Sequence, residues 1–116
     1  MAATDAALVT AGNALNAKHK FLQLHSGAPG AAGTNNIIGG ARRPLTMTVD
    51  ADGDLIMSGS IAYTGLTPNG AVQYITIWDL VSSGELQGSY ALVGDNTANS
   101  SGEYTVTGGS IPLVAA

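Results

Sequence analysis

The sharpest chemical motif in the sequence is a run of three aspartates spaced two residues apart. Asp50, Asp52 and Asp54 surround Gly53 in the segment Asp-Ala-Asp-Gly-Asp. Carboxylates placed in this way can gather on one side of a loop as hard oxygen ligands for calcium. The segment departs from the EF-hand pattern, because Gly53 stands at the fourth position and Ile61 stands where a bidentate Glu is needed. A hairpin turn made by Asp-Gly is the favoured interpretation, and a calcium loop is the weak alternative.

The next candidate is a set of residues with the types of a hydrolase triad. His25 is followed by Ser26, and Asp79 lies further along the chain. Residue types alone do not make a triad, and Ser26 lacks the Gly-x-Ser-x-Gly surroundings of a nucleophile elbow. His19 and His25 have no adjacent carboxylate, which disfavours a transition-metal site. We therefore predict no catalytic residues, no cofactor and no enzymatic activity.

Two further features have a functional and a structural interpretation. Trp78 could form a platform for sugar stacking, but a lone Trp in the most apolar strand is more often a core residue. Arg42 and Arg43 precede a strand, and we predict that they form an ion pair with a carboxylate of this chain or of a neighbour. The Gly-rich and Pro-containing segment 26–33 lacks the Lys of a phosphate-binding loop, so no nucleotide is predicted.

Composition and charge exclude several classes of protein. The 116 residues fit one domain, and four Lys and Arg against eight Asp and Glu give a formal net charge of -4. Four cations cannot form the basic patch that nucleic acid requires. The sequence has no Cys, and it lacks an apolar run long enough to span a membrane or to act as a signal peptide. We expect a soluble protein, made in the cytosol, that contacts neither nucleic acid nor membrane.

The surface is predicted to be unusually poor in charge. Charged residues make up 10% of the chain, well below the usual quarter, and the 16 glycines are about twice the usual share. Thr, Ser, Asn and Gly must therefore cover much of the outside. Because such a surface has little self-repulsion, it favours contact with other protein.

Hydrophobic periodicity predicts one helix at the start of the chain. A helix is expected over residues 4–17, with Thr4 placed as its cap and Leu8, Ala11 and Leu15 as a narrow apolar stripe. Such a stripe must dock on another surface, because a short helix is unstable alone. Residues 1–20 are therefore predicted to be an N-terminal helical arm.

After residue 20 the period becomes two, which is typical of strands. A long loop is predicted over residues 26–36, an Asp-Gly hairpin turn over residues 50–54, and a bulge or bend at Gly108 and Gly109. Strands are predicted over residues 21–25, 45–49, 55–63, 72–80, 86–93, 104–107 and 111–114. The fold class is therefore mainly β: residues 21–116 form a single antiparallel β-sandwich, jelly-roll-like or a small barrel, behind one short N-terminal α-helix.

Two ordered groups of residues resemble a family of small virion structural proteins of tailed bacteriophages. The first is Leu-His-Ser-Gly-Ala-Pro-Gly-Ala-Ala-Gly over residues 24–33, followed by Ala-Arg at 41–42. The second is Trp-Asp at 78–79 before a Ser-Gly turn at 83–84. Members are labelled tail fibre, minor structural or head decoration proteins. Ala28 departs from the family, which often has Asp there, so any ligand role of that carboxylate is absent.

The resemblance implies a virion part, and chain length favours one location. A fibre needs a long shaft or repeat, which 116 residues do not supply. The preferred hypothesis is a capsid decoration (minor capsid) protein on the capsid surface, a homotrimer that binds and stabilises the major capsid protein. The alternatives are a tail fibre or tail-tip protein that contacts the host surface and, from another class, a calcium- or carbohydrate-binding β module. The candidate partner-binding residues are Leu8, Ala11, Leu15, His25, Pro29, Arg42 and Arg43.

Overall fold

The structure, a computed structural model, describes residues 5–49, 51, 55–93 and 96–107. One helix, α1 (Asp5–Asn16), precedes the strands, as predicted. It lies against the third strand, and the Asn16 side-chain amide donates a hydrogen bond of 3.0 Å to the carbonyl of Met47. The predicted cap, Thr4, lies outside the described residues. Whether residues 1–20 act as a separate arm stays a prediction.

Within the described ranges eight strands follow, and all their pairings are antiparallel. Four of them form the main sheet in the order β2-β1-β6-β7, while β3 pairs with β4 and β5 pairs with β8. The fold is therefore mainly β with one short helix, consistent with the predicted sandwich. The strands are β1 (Phe21–His25), β2 (Ile37–Pro44), β3 (Met47–Val49), β4 (Leu55–Met57), β5 (Ser60–Tyr63), β6 (Tyr74–Trp78), β7 (Leu86–Ala91) and β8 (Tyr104–Thr107).

The two central strands of the main sheet are buried on both faces. On the core face, the alternating pattern places Leu22 opposite Ile77 and Leu24 opposite Ile75, all of them fully buried. The opposite face, here called the loop face, carries Gln23, His25, Thr76 and Trp78, which are also buried. Because this face is polar and buried, another segment must cover it and supply partners for its hydrogen-bond donors and acceptors.

The β5–β8 pair supplies the layer that packs on the core face. Ile61, Tyr63, Tyr104 and Val106 join the leucines and isoleucines of β1 and β6 in one hydrophobic cluster. The Tyr63 hydroxyl crosses between the layers and donates a hydrogen bond of 2.6 Å to the carbonyl of Leu22. Packing of two sheet layers round a shared apolar centre is the arrangement predicted from the alternation.

Two details of the strands differ from the sequence prediction. The residue pattern predicted no strand over residues 37–44, where β2 forms an edge with two adjacent glycines and two arginines. The predicted strand over residues 55–63 divides into β4 and β5 at Gly59, which has a positive φ of 75°. Gly tolerates this angle, and the chain leaves β3 there to pair with β8.

Several predicted features can be compared only in part. Strands β3 and β4 pair as a hairpin, as predicted, but Asp50, Asp52 and Asp54 of the connecting turn lie outside the described residues. The predicted bend at Gly108 and Gly109 and the predicted strand 111–114 also lie outside them. Within the described part of the chain, the single helix is too short to cross a bilayer.

Candidate functional site

The loop over residues 26–36, here called the motif loop, joins β1 to β2 and is closed by its own hydrogen bonds. At its base, the Ser26 amide donates 2.9 Å to the carbonyl of Asn36. The Asn36 side chain donates 3.0 Å to the carbonyl of Ala28, and the Asn35 amide donates 3.0 Å to that of Pro29. Since these bonds satisfy the backbone within the loop, the loop has a defined shape that can cover the sheet.

A glycine allows this loop to approach the loop face closely. Gly33 is buried and has a φ of 71°. A Cβ added to it would lie 2.9 Å from Leu86 Cδ2 and 3.1 Å from Trp78 Cζ2. Real Cβ atoms almost never come as close as the first of these distances, so the loop packs on Trp78 and Leu86 at a spacing that only Gly permits.

A chain of side-chain hydrogen bonds ties the motif loop to β1 and β6. His25 Nδ1 lies 2.7 Å from the carbonyl oxygen of Asn35, which can only accept, so this nitrogen carries the proton. In the neutral ring, Nε2 then accepts from the Thr76 hydroxyl at 2.8 Å. Trp78 Nε1 donates to the same hydroxyl oxygen at 2.8 Å. The donors thus run in one direction from Trp78 through Thr76 and His25 to Asn35.

The environment of His25 fixes its charge as well as its position. Burial lowers the pKa of His25 below its usual value of 6.5, and the hydrogen bond to the Asn35 carbonyl opposes this only in part. A protonated ring would turn Nε2 into a donor, and the Thr76 hydroxyl hydrogen would then lose its acceptor. The neutral form is therefore the one that the structure accommodates.

We expect the free energy of unfolding to fall as the pH is lowered from about 7 to 5. The folded-state pKa of His25 lies below the unfolded value of 6.5, so the unfolded chain binds more protons in this window. The slope attributable to His25 is at most about 1.4 kcal/mol per pH unit. Urea unfolding at a series of pH values measures it. His25→Gln should remove this component, His19→Gln should retain it, and an unchanged slope in His25→Gln would contradict the assignment.

Arg42 closes the loop face from the side of β2. Its guanidinium carbon lies 3.7 Å from the centre of the Trp78 ring. The same group donates to the carbonyls of Leu80 at 2.9 Å and Ser83 at 2.6 Å, both in the turn between β6 and β7. Burial lowers the pKa of Arg42, and the negative charge of Asp79 opposes this shift, so a carboxylate of this chain interacts with Arg42 in addition to the ring and the two carbonyls. The Asp79 carboxylate also accepts from the Glu85 amide at 2.7 Å and shapes the turn.

Replacing Arg42 tests this bridge between β2 and the β6–β7 turn. We expect Arg42→Gln to lower the free energy of unfolding by about 2 kcal/mol, since it removes a cation–π contact and two charge-assisted hydrogen bonds. Lys18→Gln removes one exposed cation and serves as the control, with an expected change below about 0.5 kcal/mol. Equal denaturation midpoints for the two variants would show that the bridge contributes nothing.

Arg43 points to the opposite face of the sheet from Arg42. Its guanidinium carbon lies 4.9 Å from the centre of the Tyr63 ring, and its Nε is buried without a hydrogen-bond partner. Burial raises the pKa of Tyr63 strongly, so its hydroxyl stays protonated and keeps its bond to Leu22. Consecutive arginines therefore serve two different packing layers.

Gln23 fills the irregular part of the β1–β2 pairing. The register shifts between Leu22 and Leu24, and residues 39–42 bulge from β2 opposite Gln23. The Gln23 side-chain amide donates 2.9 Å to the carbonyl of Ile38 and 3.1 Å to that of Gly40. A buried side chain thus replaces the missing ladder bonds and keeps β2 attached.

The residues predicted to bind a partner are mostly interior. His25 is fully buried, Pro29 is buried, and Arg42 and Arg43 are half-buried. They hold the motif loop and β2 from within, so direct partner contact by them stays a prediction. The side chains of Leu8, Ala11 and Leu15 lie outside the described part of the chain.

Sequence reasoning missed a set of exposed apolar side chains. Leu80 and Val81, each 53% exposed, lie in the β6–β7 turn, and Val93, at 56%, follows β7. Ile37 and Ile56 are also exposed. The prediction had placed Leu80 and Val93 inside strands. Their position beside Ser and Gly at the ends of apolar runs was the available signal.

The structure assembles neither a triad nor a sugar platform from the residues considered. Both ring nitrogens of His25 are taken by Asn35 and Thr76, and the Asp79 carboxylate holds the turn. Trp78 is 5% exposed and stacked under Arg42, which confirms its interpretation as a core residue. Among the described residues no group of three His, Cys, Asp or Glu could hold a metal ion. Asp50, Asp52 and Asp54 lie outside the described residues, so the calcium interpretation stays a prediction.

A surface groove of about 400 Å³ runs along the β5–β8 pair. Its polar lining includes Thr64, Asn99 and Glu103. The two tyrosines at its wall, Tyr63 and Tyr104, are 0% and 6% exposed, so they offer no ring face on which a sugar could stack. The carbohydrate alternative gains no support from this groove.

Comparison with known proteins gives one informative match. No curated protein and no solved structure matches the chain significantly. A family model described as "Podophage GP4 fiber I protein gp80" matches residues 3–113. The match covers the helix, every described strand, the motif loop and the Arg42–Trp78 contact. The chain therefore belongs to this Gp80 family of phage fiber proteins, and it is a structural protein of a bacteriophage virion.

Proposed function

We propose that this chain is a non-enzymatic structural module of the tail fibre apparatus of a podophage. The observation that carries the proposal is the family match over residues 3–113, whose description names a fiber protein. The tail fibre alternative therefore fits better than the capsid decoration hypothesis preferred from the sequence. Chain length argued against a fibre, but a fibre can gain its length from the assembly of several chains.

The internal architecture supports a mechanical role. The relay from Trp78 to Asn35 and the Arg42 bridge join the motif loop, β2 and the β6–β7 turn to the central strands. A loop held by buried hydrogen bonds keeps one shape under load better than a free loop does. The chain measures 47 × 26 × 22 Å along its principal axes, so it is elongated.

The surface supports attachment by non-covalent contacts. Charged residues make up only 10% of the chain, and Leu80, Val81 and Val93 expose more than half of their surface. Burial of apolar side chains drives most protein association. We propose that the contacts are made with neighbouring proteins of the tail, in place of the major capsid protein predicted from the sequence.

Electron microscopy of immunolabelled particles tests the proposed location. Antibodies raised against the purified chain, detected with gold on intact particles of the phage that encodes it, are expected to mark the fibres at the tail. Particles treated with pre-immune serum provide the control. Gold spread over the head surface would support the capsid decoration hypothesis instead. Absence of the chain from washed particles would reject any virion role.

A further inference from the structure

Strand β7 is an edge strand with an unusual lack of protection. Among the strands that the structure describes, the order β2-β1-β6-β7 leaves β2 and β7 at the two edges of the main sheet. Edge strands expose unpaired backbone groups, and monomeric proteins usually blunt them with charged residues, Pro or bulges. β7 has the sequence Leu-Gln-Gly-Ser-Tyr-Ala, which contains no charged residue and no Pro. Its one irregularity is a bulge at Gln87, because the pairing with β6 passes from Gly88 opposite Ile77 to Leu86 opposite Trp78, and the remainder of β7 up to Ala91 pairs regularly.

The opposite edge is protected in several ways. β2 ends in Arg-Arg-Pro, and its Gly39 and Gly40 have positive φ values of 81° and 72°. Its pairing with β1 also shifts by several residues. Such an edge is a poor template for another strand. Of the two edges, only β7 is regular enough to receive one.

The hydrogen-bond pattern identifies the backbone groups that β7 offers. The Leu92 amide donates 2.9 Å to the carbonyl of Gln73, which makes this pair hydrogen-bonded. Bonded and non-bonded pairs alternate along an antiparallel ladder, so Tyr90 opposite Ile75 is bonded and Ser89 opposite Thr76 is not. The amide and carbonyl of Ser89 therefore point away from β6, and Ser89 and Ala91 are exposed.

Exposed apolar side chains lie beyond both ends of this edge. Leu80 and Val81 are in the turn that leads into β7, and Val93 follows the strand. These three are more than half exposed and are the largest exposures among the large apolar side chains that the structure describes. In an antiparallel pair, the start of one strand lies beside the end of the other. Two copies of β7 paired in this way bring Val93 of each copy to the turn with Leu80 and Val81 of the other.

We propose that β7 is a self-association edge, where β7 of one copy pairs antiparallel with β7 of a second copy about a two-fold axis. The register that uses the outward groups places Ser89 opposite Ser89 and brings Ala91 of each copy beside the bulge at Gln87 of the other. The contact is isologous, so the two copies bury the same surface. Each copy has one Glu85 just before β7, and the two Glu85 residues lie at opposite ends of the paired strands. This contact is two-fold and differs from the homotrimer expected from the sequence.

A single introduced cysteine tests the register. The chain has no Cys, so a disulfide can form only between copies. Opposed Ser89 residues would have Cα atoms about 5.5 Å apart, within the range that a disulfide can bridge. Ser89→Cys should become a covalent dimer under mild oxidation, seen on a non-reducing gel. Ser60→Cys, exposed on β5, is the matched control and should stay mostly monomeric. Equal cross-linking of both variants would overturn the proposal.

Opposite charges give a second, independent test. Light scattering after size exclusion should show a dimer for the wild type and monomers for Ser89→Lys and Ser89→Glu alone. An equimolar mixture of these two variants should recover the dimer, because Lys then faces Glu. Ser60→Lys adds the same charge away from the edge and should leave the dimer intact. A monomeric wild type, a trimer unaffected by Ser89→Lys, or cross-linking of Ser89→Cys only to another virion protein would each contradict self-pairing.

Discussion

Thr76→Val is expected to lower the free energy of unfolding by about 3 kcal/mol, although Val has nearly the same size and shape as Thr. The Thr76 hydroxyl accepts from Trp78 Nε1 and donates to His25 Nε2, both at 2.8 Å, and Thr76 is fully buried. Its removal leaves one buried donor and one buried acceptor without partners, and each costs about 1–3 kcal/mol. Urea unfolding followed by Trp78 fluorescence measures the loss.

Thr105→Val provides the matched control for this substitution. Thr105 is an exposed residue of β8, so the same change there should alter the free energy of unfolding by less than about 0.5 kcal/mol. If Thr76→Val proves no more destabilising than Thr105→Val, the relay from Trp78 to the motif loop contributes nothing to stability. The motif loop would then not be held by hydrogen bonds from within the sheet.

Gly33→Ala is the second substitution with a large expected effect, a loss of about 2–3 kcal/mol. The added Cβ meets Leu86 at 2.9 Å and Trp78 at 3.1 Å, and the φ of 71° is unfavourable for Ala. Arg42 stacks on Trp78 and limits how far the ring can move. Either the Leu86 side chain turns away from the ring or the motif loop lifts from the sheet. A red shift of the Trp78 emission should accompany the loss, because the ring becomes more exposed to water.

Gly40→Ala separates backbone strain from packing. Gly40 has a similar φ of 72°, but an added Cβ would meet nothing within 4 Å. The loss in free energy of unfolding should therefore come only from the strain of a positive φ at Ala, about 1 kcal/mol. The difference between the two variants measures the contact of the loop with Trp78. Identical losses, with no change of emission in Gly33→Ala, would mean that the loop does not rest on this ring.

The strands that could be predicted from the sequence are those whose alternation reflects a fixed environment. β1 and β6 have apolar residues at every second position because one face of each packs on the core. β2 lacks this alternation, because Gln23 and the bulge at residues 39–42 replace regular pairing. The division of the predicted strand at Gly59 was also missed, because the apolar pattern does not report the backbone geometry there. Alternation on both sides of Gly59 continues, while the positive φ that redirects the chain leaves no trace in the pattern.

The candidate site was predicted less well, since it depends on contacts between distant residues. His25 was correctly placed at the end of a strand, but its hydrogen-bond partners, Asn35 and Thr76, were not predicted. Arg42 was given a carboxylate partner, and the charge of Asp79 does act on it, but its ring partner and its two carbonyl acceptors, about forty residues away, were not predicted. Spacing along the chain cannot reveal such partners, because the fold alone brings them together.

The residues that carried the resemblance to phage proteins have a common physical explanation. His25 and Gly33 fasten the motif loop, while Arg42, Trp78 and Asp79 form and support the β6–β7 turn. They therefore form one packing unit on the loop face. This is the expected result for the proposed structural role in a fibre.

Quantitative mass spectrometry of purified particles tests the central claim, membership of the tail fibre, most directly. The ratio of this chain to the major capsid protein reports how many copies each virion holds. The account predicts a small multiple of the tail symmetry, a minor fraction of the major capsid protein copies. A copy number comparable with that of the major capsid protein, or no detectable chain in the particles, would contradict it.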